Sequence, residues 1–328
     1  MIVTLEQAIK IYNLLPPHRR SFYFHPEYLK ADVRNKEGVE LQFFVVQQDN
    51  FIFYHAFYRG KVPNTELYDI QSPYGYGGPI IVGDHQFRIK AIGLYKEWCV
   101  ENYILVEFIR FHPLLKNNSY YEGAVHFNRT VVYIDLNVDD IWADFSSMAR
   151  RAVRKAIKNN VNIIFSKEYR YIEGFVKIYE DSMQEKSAEQ AYFFDTDYYK
   201  QIIQQDQVVL VSAVNENGET LAASLFFIED HLAEYHLSAT TEEGKRLRAA
   251  NLIIYSFAQY AQQYGCQYVY LGGGSSTNCE DSLFFFKKSF SKQETDYYIG
   301  STVYMPDKYN EMKKNATNGR ILFYKGLN

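Results

Sequence analysis

The feature that most constrains the fold of this chain is an order of elements that runs through it twice. A hairpin is predicted at Leu41–Val46 and Phe51–Tyr58, and again at Val208–Val214 and Thr220–Ile228. The second turns on Asn215-Glu216-Asn217-Gly218, whose Asn-Gly pair is a strong hairpin signal. Short helices precede each hairpin: Leu5–Leu15 and a Pro26 segment in the first half, Ser146–Asn159 and Tyr171–Glu185 in the second. A long helix comes later in each half, Gln86–Asn102 and Lys245–Tyr264, the latter stopped by Gly265. Strands follow at Ile104–Phe111 and Tyr268–Leu271, and Thr130-Val131-Val132-Tyr133 matches Ser301-Thr302-Val303-Tyr304. The offsets are all roughly 160–170 residues, far too long for a solenoid. The simplest account is one mixed α/β domain used twice, divided at Asn137–Ser147 into 1–145 and 146–328. A β-like tail, Arg320–Tyr324, is expected to return to the first domain. Two such domains create a cleft, a default binding site.

Composition removes several classes of function. Net charge is -4 and the isoelectric point is near 6.1, so bulk attraction to nucleic acid or anionic lipid is not expected to drive the function, while a local basic patch stays open. No run of 18 apolar residues is present, so no membrane-spanning helix is predicted. The opening residues carry Glu6 and lack the pattern of an export signal, and a cytoplasmic location is expected. Cys99, Cys266 and Cys279 are scattered, without C-x-x-C, against both a disulfide framework and a zinc site. Thirty Tyr and 24 Phe could line a polar cleft, although core packing and compositional bias produce the same excess.

Four segments carry candidate chemistry. Ser146–Lys158 puts Arg150, Arg151, Arg154, Lys155 and Lys158 on roughly 100° of a helix, either a phosphate-binding stripe or a solvated face. Gly272-Gly273-Gly274, between a strand and a helix, lets backbone approach a ligand but fits no nucleotide-loop pattern. Leu283, Phe286 and Phe290 share one helical face, which sets Lys287 or Lys288 at the rim of an aromatic wall. There a lysine either snorkels or stabilises developing negative charge. The glycines of Asp69–Pro79 need special backbone angles, and the segment offers Tyr74 and Tyr76 to whatever it encloses, or is a plain turn. His236, in Glu234-Tyr235-His236, reads as a hydrogen-bonded core histidine.

The stretches SPYGYGGP (72–79), RRAVRKAIKNNV (150–161), EYHLSAT (234–240) and LGGGSSTNCEDSLFFFKKSF (271–290) together resemble the FemAB-like transferases, a double-GNAT family that attaches amino acids to peptidoglycan precursors, and its BioF2-like acyltransferase relatives. The resemblance implies an α/β fold of mixed sheets, with two tandem GNAT-like domains and a cleft between them. It implies Lys287, the lysine of F-K-x-x-F, near the reacting carbonyl. It places Arg151 and Arg154 where relatives carry basic residues that can hold substrate phosphates, and the segments above add Lys155, Tyr74, Tyr76, Gly77, Gly78, Tyr235, His236, Gly272 and Gly273 as candidate substrate contacts. Bridge-forming members carry Arg-Gly-Pro followed by an acidic residue; here the triplet is Gly77-Gly78-Pro79 and the next acid is Asp84, the candidate for that role. The Glu243–Ala249 turn lacks the Gly-rich pyrophosphate loop of coenzyme A users, and no long heptad arm is present.

The expected function is transfer of an activated aminoacyl or acyl group to an amine of a nucleotide-linked or lipid-linked cell-envelope precursor. The co-substrate would be aminoacyl-tRNA or acyl-CoA, with no tightly bound cofactor and no metal. An acyl-CoA-dependent N-acyltransferase acting on an amino sugar, and a non-catalytic precursor-binding protein, are the competing readings.

Overall fold

In the computed structural model, which describes residues 1–33, 36–187, 192–276, 281–314, 316 and 318–325, the chain gathers into two compact units. One is Met1–Asn128 with Asp296–Asn328, the other Arg129–Thr295. Residues 277–280 of the Gly-rich segment, Cys279 among them, lie outside the described residues.

The first unit opens with α1 (Leu5–Leu14), held by a Thr4/Gln7 capping box, and α2 (Pro26–Val33). β1 (Val39–Gln48) and β2 (Phe51–Lys61) make the first hairpin, turning through Asp49 at φ 54°. β3 (Tyr68–Gln71) and β4 (Ile80–Val82) both pair antiparallel with β2. These two strands are too short to show in the sequence pattern. α3 (His85–Glu101) then carries the chain back, so that β5 (Ile104–Arg110) lies parallel to β3.

β6 (Ala124–Asp135) crosses the boundary into the second unit. There α4 (Ile141–Asp144), α5 (Ser147–Lys158), β7 (Asn162–Phe165), α6 (Tyr169–Glu185) and α7 (Thr196–Ile203) lead to the hairpin of β8 (Val208–Val214) and β9 (Thr220–Glu229). β10 (Leu232–Thr240) extends the hairpin antiparallel. The single long helix expected at Lys245–Tyr264 is two, α8 (Glu242–Leu247) and α9 (Ala249–Tyr264), because Arg248 takes the left-handed conformation at φ 65°. β11 (Tyr268–Gly272) and α10 (Ser282–Lys288) follow. β12 (Glu294–Val303) then passes back to the first unit, where α11 (Pro306–Lys313) ends the regular structure.

Pairing explains where the units divide. Val132–Asp135 of β6 pairs antiparallel with β11 in the second unit, and Ile299–Val303 of β12 pairs antiparallel with β5 in the first. The strands that match in sequence are therefore each paired with a strand of the other half. The division falls inside these strands, between Asn128 and Arg129, and not at 145/146. Arg320–Tyr324 forms turns and no strand; its apolar residues pack with Val62, Leu105 and Tyr309. Lys325 Nζ lies 2.6 Å from Oδ1 of the buried Asp69.

The returning strand also completes a buried charge cluster. Glu107 of β5 is 0% exposed. Its Oε1 lies 2.8 Å from His55 Nε2 and accepts from Tyr95 OH at 2.7 Å, while Oε2 accepts from Tyr121 OH at 3.0 Å and Tyr304 OH at 3.1 Å. Burial alone would raise its pKa; the bonds from His55, Tyr95 and Tyr121 outweigh it and hold the carboxyl below its ordinary value. A carboxylate depressed in this way contributes stability that is present above its unfolded pKa and is lost as pH falls through the folded one. Glu107→Gln should therefore cost about 3 kcal/mol at pH 7. In urea melts the difference from wild type should shrink below about pH 4.5; a difference independent of pH would mean that the carboxylate is not the stabilising form.

Candidate active site

β10 and β11 are parallel but pair only over Leu232–Glu234 and Tyr268–Tyr270. β10 stays with β9 as far as Thr240, with a register shift between Tyr235 and Leu237. From Tyr235 onward its other edge carries no ladder bonds to β11 among the described residues. Parallel strands that part at their carboxyl ends open a crevice, and their unpaired backbone groups can meet a ligand there.

Lys287 is placed at this split by α10. Asp281 caps that helix, accepting from Phe284 N at 2.9 Å, and also accepts from Ser275 Oγ at 2.6 Å and Ser276 N at 2.9 Å. Those bonds outweigh desolvation and keep its carboxyl well below the usual range. Phe284 and Phe286 both pack against the core that holds Phe290, so of the expected Leu283/Phe286/Phe290 stripe only Leu283 is exposed, and Lys287 lies on the inward side. Lys287 is thus buried, 8% exposed, and donates from Nζ to Gly273 O at 2.8 Å. Its ammonium lies 5.6 Å from the centre of the Tyr235 ring. Gly272, at φ 81°, admits it closely: a Cβ there would stand 3.3 Å from Nζ. Lys288, next in sequence, is half-buried and paired with Glu294. Burial lowers the Lys287 pKa to about 7, with Asp281 raising it and Arg129 lowering it as smaller effects.

Lys287, Gly272, Gly273 and Tyr235 are therefore brought together. His236 is not beside them. Tyr235 packs on Phe226 and His236 on Phe227, neighbours on β9 that face opposite sides of the sheet. His236 Nε2 pairs with Tyr198 OH at 2.7 Å, and burial lowers the histidine pKa to about 3, so it is neutral. Arg151, Arg154 and Lys155 stand on the exposed face of α5. Arg150, expected among them, is half-buried and donates to Trp142 O at 3.4 Å.

The remaining candidates belong to the first unit. The Ser72–Pro79 loop is clamped by Arg110, whose guanidinium donates to the carbonyls of Ser72, Pro73 and Gly75 at 2.9, 2.6 and 3.2 Å. Asn117 Nδ2 donates to Gly77 O at 2.9 Å. Gly77 and Gly78 are buried within the turn, whereas Tyr74 and Tyr76 are half-exposed. Asp84 is exposed and caps α3, accepting from Phe87 N at 2.8 Å; in this place it serves the helix. Sequence reasoning missed Arg129, which donates to Gly274 O at 2.9 Å and Ser276 O at 3.2 Å, because a single arginine inside a strand carries no signal. Asp281 could have been found as an N-cap. Among the described residues no His/Cys/Asp/Glu group suits a metal ion, and no helix is long and apolar enough to cross a membrane.

Residues 143–285 match the acetyltransferase (GNAT) domain family. No curated protein matches the sequence. Among solved structures, FemX superposes with a TM-score of 0.71 at 13% identity, over 95% of this chain and 99% of FemX. The C-terminal domain of a protein described as a lysylphosphatidylglycerol synthetase from Agrobacterium fabrum gives 0.63 at 10% identity, over 96% of each chain. A tandem GNAT protein from the clavulanic acid pathway gives 0.52 at 7%, over 93% of this chain and 98% of its own. The fold is thus that of GNAT proteins, with the family match confined to residues 143–285, and along nearly its whole length the chain shares the fold of FemX.

A lysine whose pKa is lowered on folding binds fewer protons in the native than in the unfolded state between pH 7 and 10.5. Stability therefore rises with pH across that window, and the full cost is felt below it. At about 1.4 kcal/mol per unit, that cost is on the order of a few kcal/mol. Lys287→Met should melt higher than wild type at pH 6, and the gain should fade as pH approaches 10. A variant less stable than wild type at pH 6 would show that the ammonium stabilises the fold.

Proposed function

We propose that the protein transfers an activated aminoacyl group from aminoacyl-tRNA to an amine of a phosphate-bearing cell-envelope precursor. The observation that carries this reading is a buried ammonium, Lys287, at the point where β10 and β11 part. The donor ester lies in the split with its carbonyl oxygen toward Nζ. The acceptor nitrogen attacks the carbonyl carbon, giving a tetrahedral oxyanion that Lys287 stabilises more than the neutral carbonyl. The oxyanion then collapses, the ester C–O bond breaks, and the ribose oxygen leaves with the proton the amine gives up. Both substrates arrive activated or nucleophilic, so no covalent enzyme intermediate is needed and orientation supplies much of the rate. The acceptor class is suggested by FemX and by the lysylphosphatidylglycerol synthetase, whose fold this chain shares. Arg151 and Arg154 supply cations for the precursor's phosphates.

A second reading replaces the donor with acyl-CoA. GNAT folds generally use it, and α9 begins without a side-chain cap after the left-handed Arg248. The N–H groups of Ala249 and Ala250, which open this helix, suit a pyrophosphate even without glycines. Isothermal titration with acetyl-CoA, and single-turnover transfer from charged tRNA, separate the two donors.

Lys287→Met should leave acceptor affinity intact and lower the rate two to three decades, about 3–4 kcal/mol of barrier; Lys288→Met should stay near wild type. Because the protonated form acts, the wild-type rate should carry a falling limb near pH 7 that the Met variant lacks. Equal losses in the two variants would remove Lys287 from the chemistry. Arg151→Gln/Arg154→Gln should raise KM for a phosphate-bearing acceptor about tenfold, as exposed charges contribute roughly 1 kcal/mol or less each. KM for a phosphate-free amine should not move; a rise for both acceptors would count against phosphate recognition.

A further inference from the structure

The outward face of α5 has a composition that phosphate recognition alone does not require. At 100° per residue, Arg154, Lys158, Arg151 and Lys155 occupy consecutive positions over roughly 100° of the helix. All four are exposed, and none is ion-paired among the described residues. Opposite them Ala149, Val153 and Ala156 are buried in the core of the second unit, so the helix cannot turn its charges inward. The cationic band is bordered by large apolar side chains. Met148, beyond Lys155, is 59% exposed, and Ile157, beyond Arg154, is 54% exposed. Trp142 is half-buried, with the Arg154 guanidinium 5.5 Å from its ring centre. No acid of α5 offsets the band, and the nearby Asp144 is taken by Lys292 at 3.3 Å.

We propose that this face docks the protein on the anionic surface of a lipid bilayer. Phosphate headgroups neutralise the four cations, while Met148, Ile157 and the indole of Trp142 enter the headgroup boundary. Nucleic acid would use the cations equally well, but it offers two exposed aliphatic side chains nothing. An apolar–cationic–apolar band suits a bilayer, whose boundary supplies both kinds of contact. The docking does not depend on the transfer chemistry. Its consequence, that the acceptor is the lipid-linked form of precursor, rests on the proposed function above.

The full chain can be tested with vesicles of phosphatidylcholine alone and with phosphatidylglycerol added. The protein should sediment with the second and not the first, and release as salt rises. The chain has two tryptophans, Trp98 and Trp142; in a Trp98→Phe background the Trp142 emission should shift to the blue on docking. Lys158→Glu should weaken partition more than fivefold, since one cation is worth about fivefold and the charge is reversed. Ile157→Ser should weaken it on the same vesicles while leaving tRNA binding and transfer to a soluble acceptor unchanged. Failure to sediment with phosphatidylglycerol vesicles overturns the proposal, whatever the transfer assay reads. Loss of tRNA binding in Lys158→Glu with vesicle binding intact overturns it too, and makes the face a nucleic-acid surface. Docking by a chain that transfers nothing would overturn the proposed function alone.

Discussion

A carboxylate with no solvent exposure is tolerated only when its hydrogen-bond donors are all supplied, and much of this architecture follows from supplying those of Glu107. His55 comes from β2, Tyr95 from α3 and Tyr121 from the segment after β5. The remaining donor, Tyr304, follows β12 and is separated from Glu107 by 197 residues. The first unit thus lacks one of its charge partners, and the β12 edge of its sheet, until the second unit has been traversed. Cutting the chain between residues 145 and 146 would leave β5 without its β12 neighbour and β11 without β6. Long-range closure of this kind makes for slow folding, because chain entropy is lost before the contact forms.

The second unit makes the opposite use of a buried charge. Lys287 has one hydrogen bond, to Gly273 O, and an aromatic face, too little to offset its desolvation fully, so its pKa falls to about 7. Glu107 is surrounded by donors and kept ionised; Lys287 is left under-compensated where a sheet opens. A fold that only needed to be stable would replace the lysine with an apolar residue. Strongly perturbed groups with a specific geometry are characteristic of functional sites. The contrast between the two buried ions is the physical reason to seek chemistry in the second unit and packing around Glu107 in the first.

The Ser72–Pro79 loop, which the sequence leaves open as a ligand-enclosing segment or a plain turn, has its carbonyls held by Arg110 and Asn117. Gly75 takes φ 86° with the Tyr23 ring 2.3 Å from where a Cβ would stand, so glycine is required for packing there. The triple glycine differs. Gly272 takes φ 81°, a conformation that favours glycine, and the missing Cβ leaves room for Lys287 Nζ.

By itself the sequence determined the elements whose signals are local: both hairpins, the helices over α3 and α5, and the duplication of order. The residue pattern left Lys287 and Lys288 both open, and the resemblance of F-K-x-x-F to the FemAB-like transferases singled out Lys287. The sequence did not disclose β3, β4 or β7, which are three or four residues long and show too little alternation to register. Nor did it disclose that Arg248 breaks one long helix into two, since a left-handed arginine has no signature. The pairing of β6 with β11 and of β12 with β5, the donors of Glu107, and the outward turn of Leu283 were decided by tertiary structure alone. The physical reason is common to all three. Hydrophobic period and turn chemistry act within a few residues, whereas strand partners and the burial of a charge are settled beyond that range, by donors that for Glu107 lie from 12 positions away (Tyr95) to 197 (Tyr304).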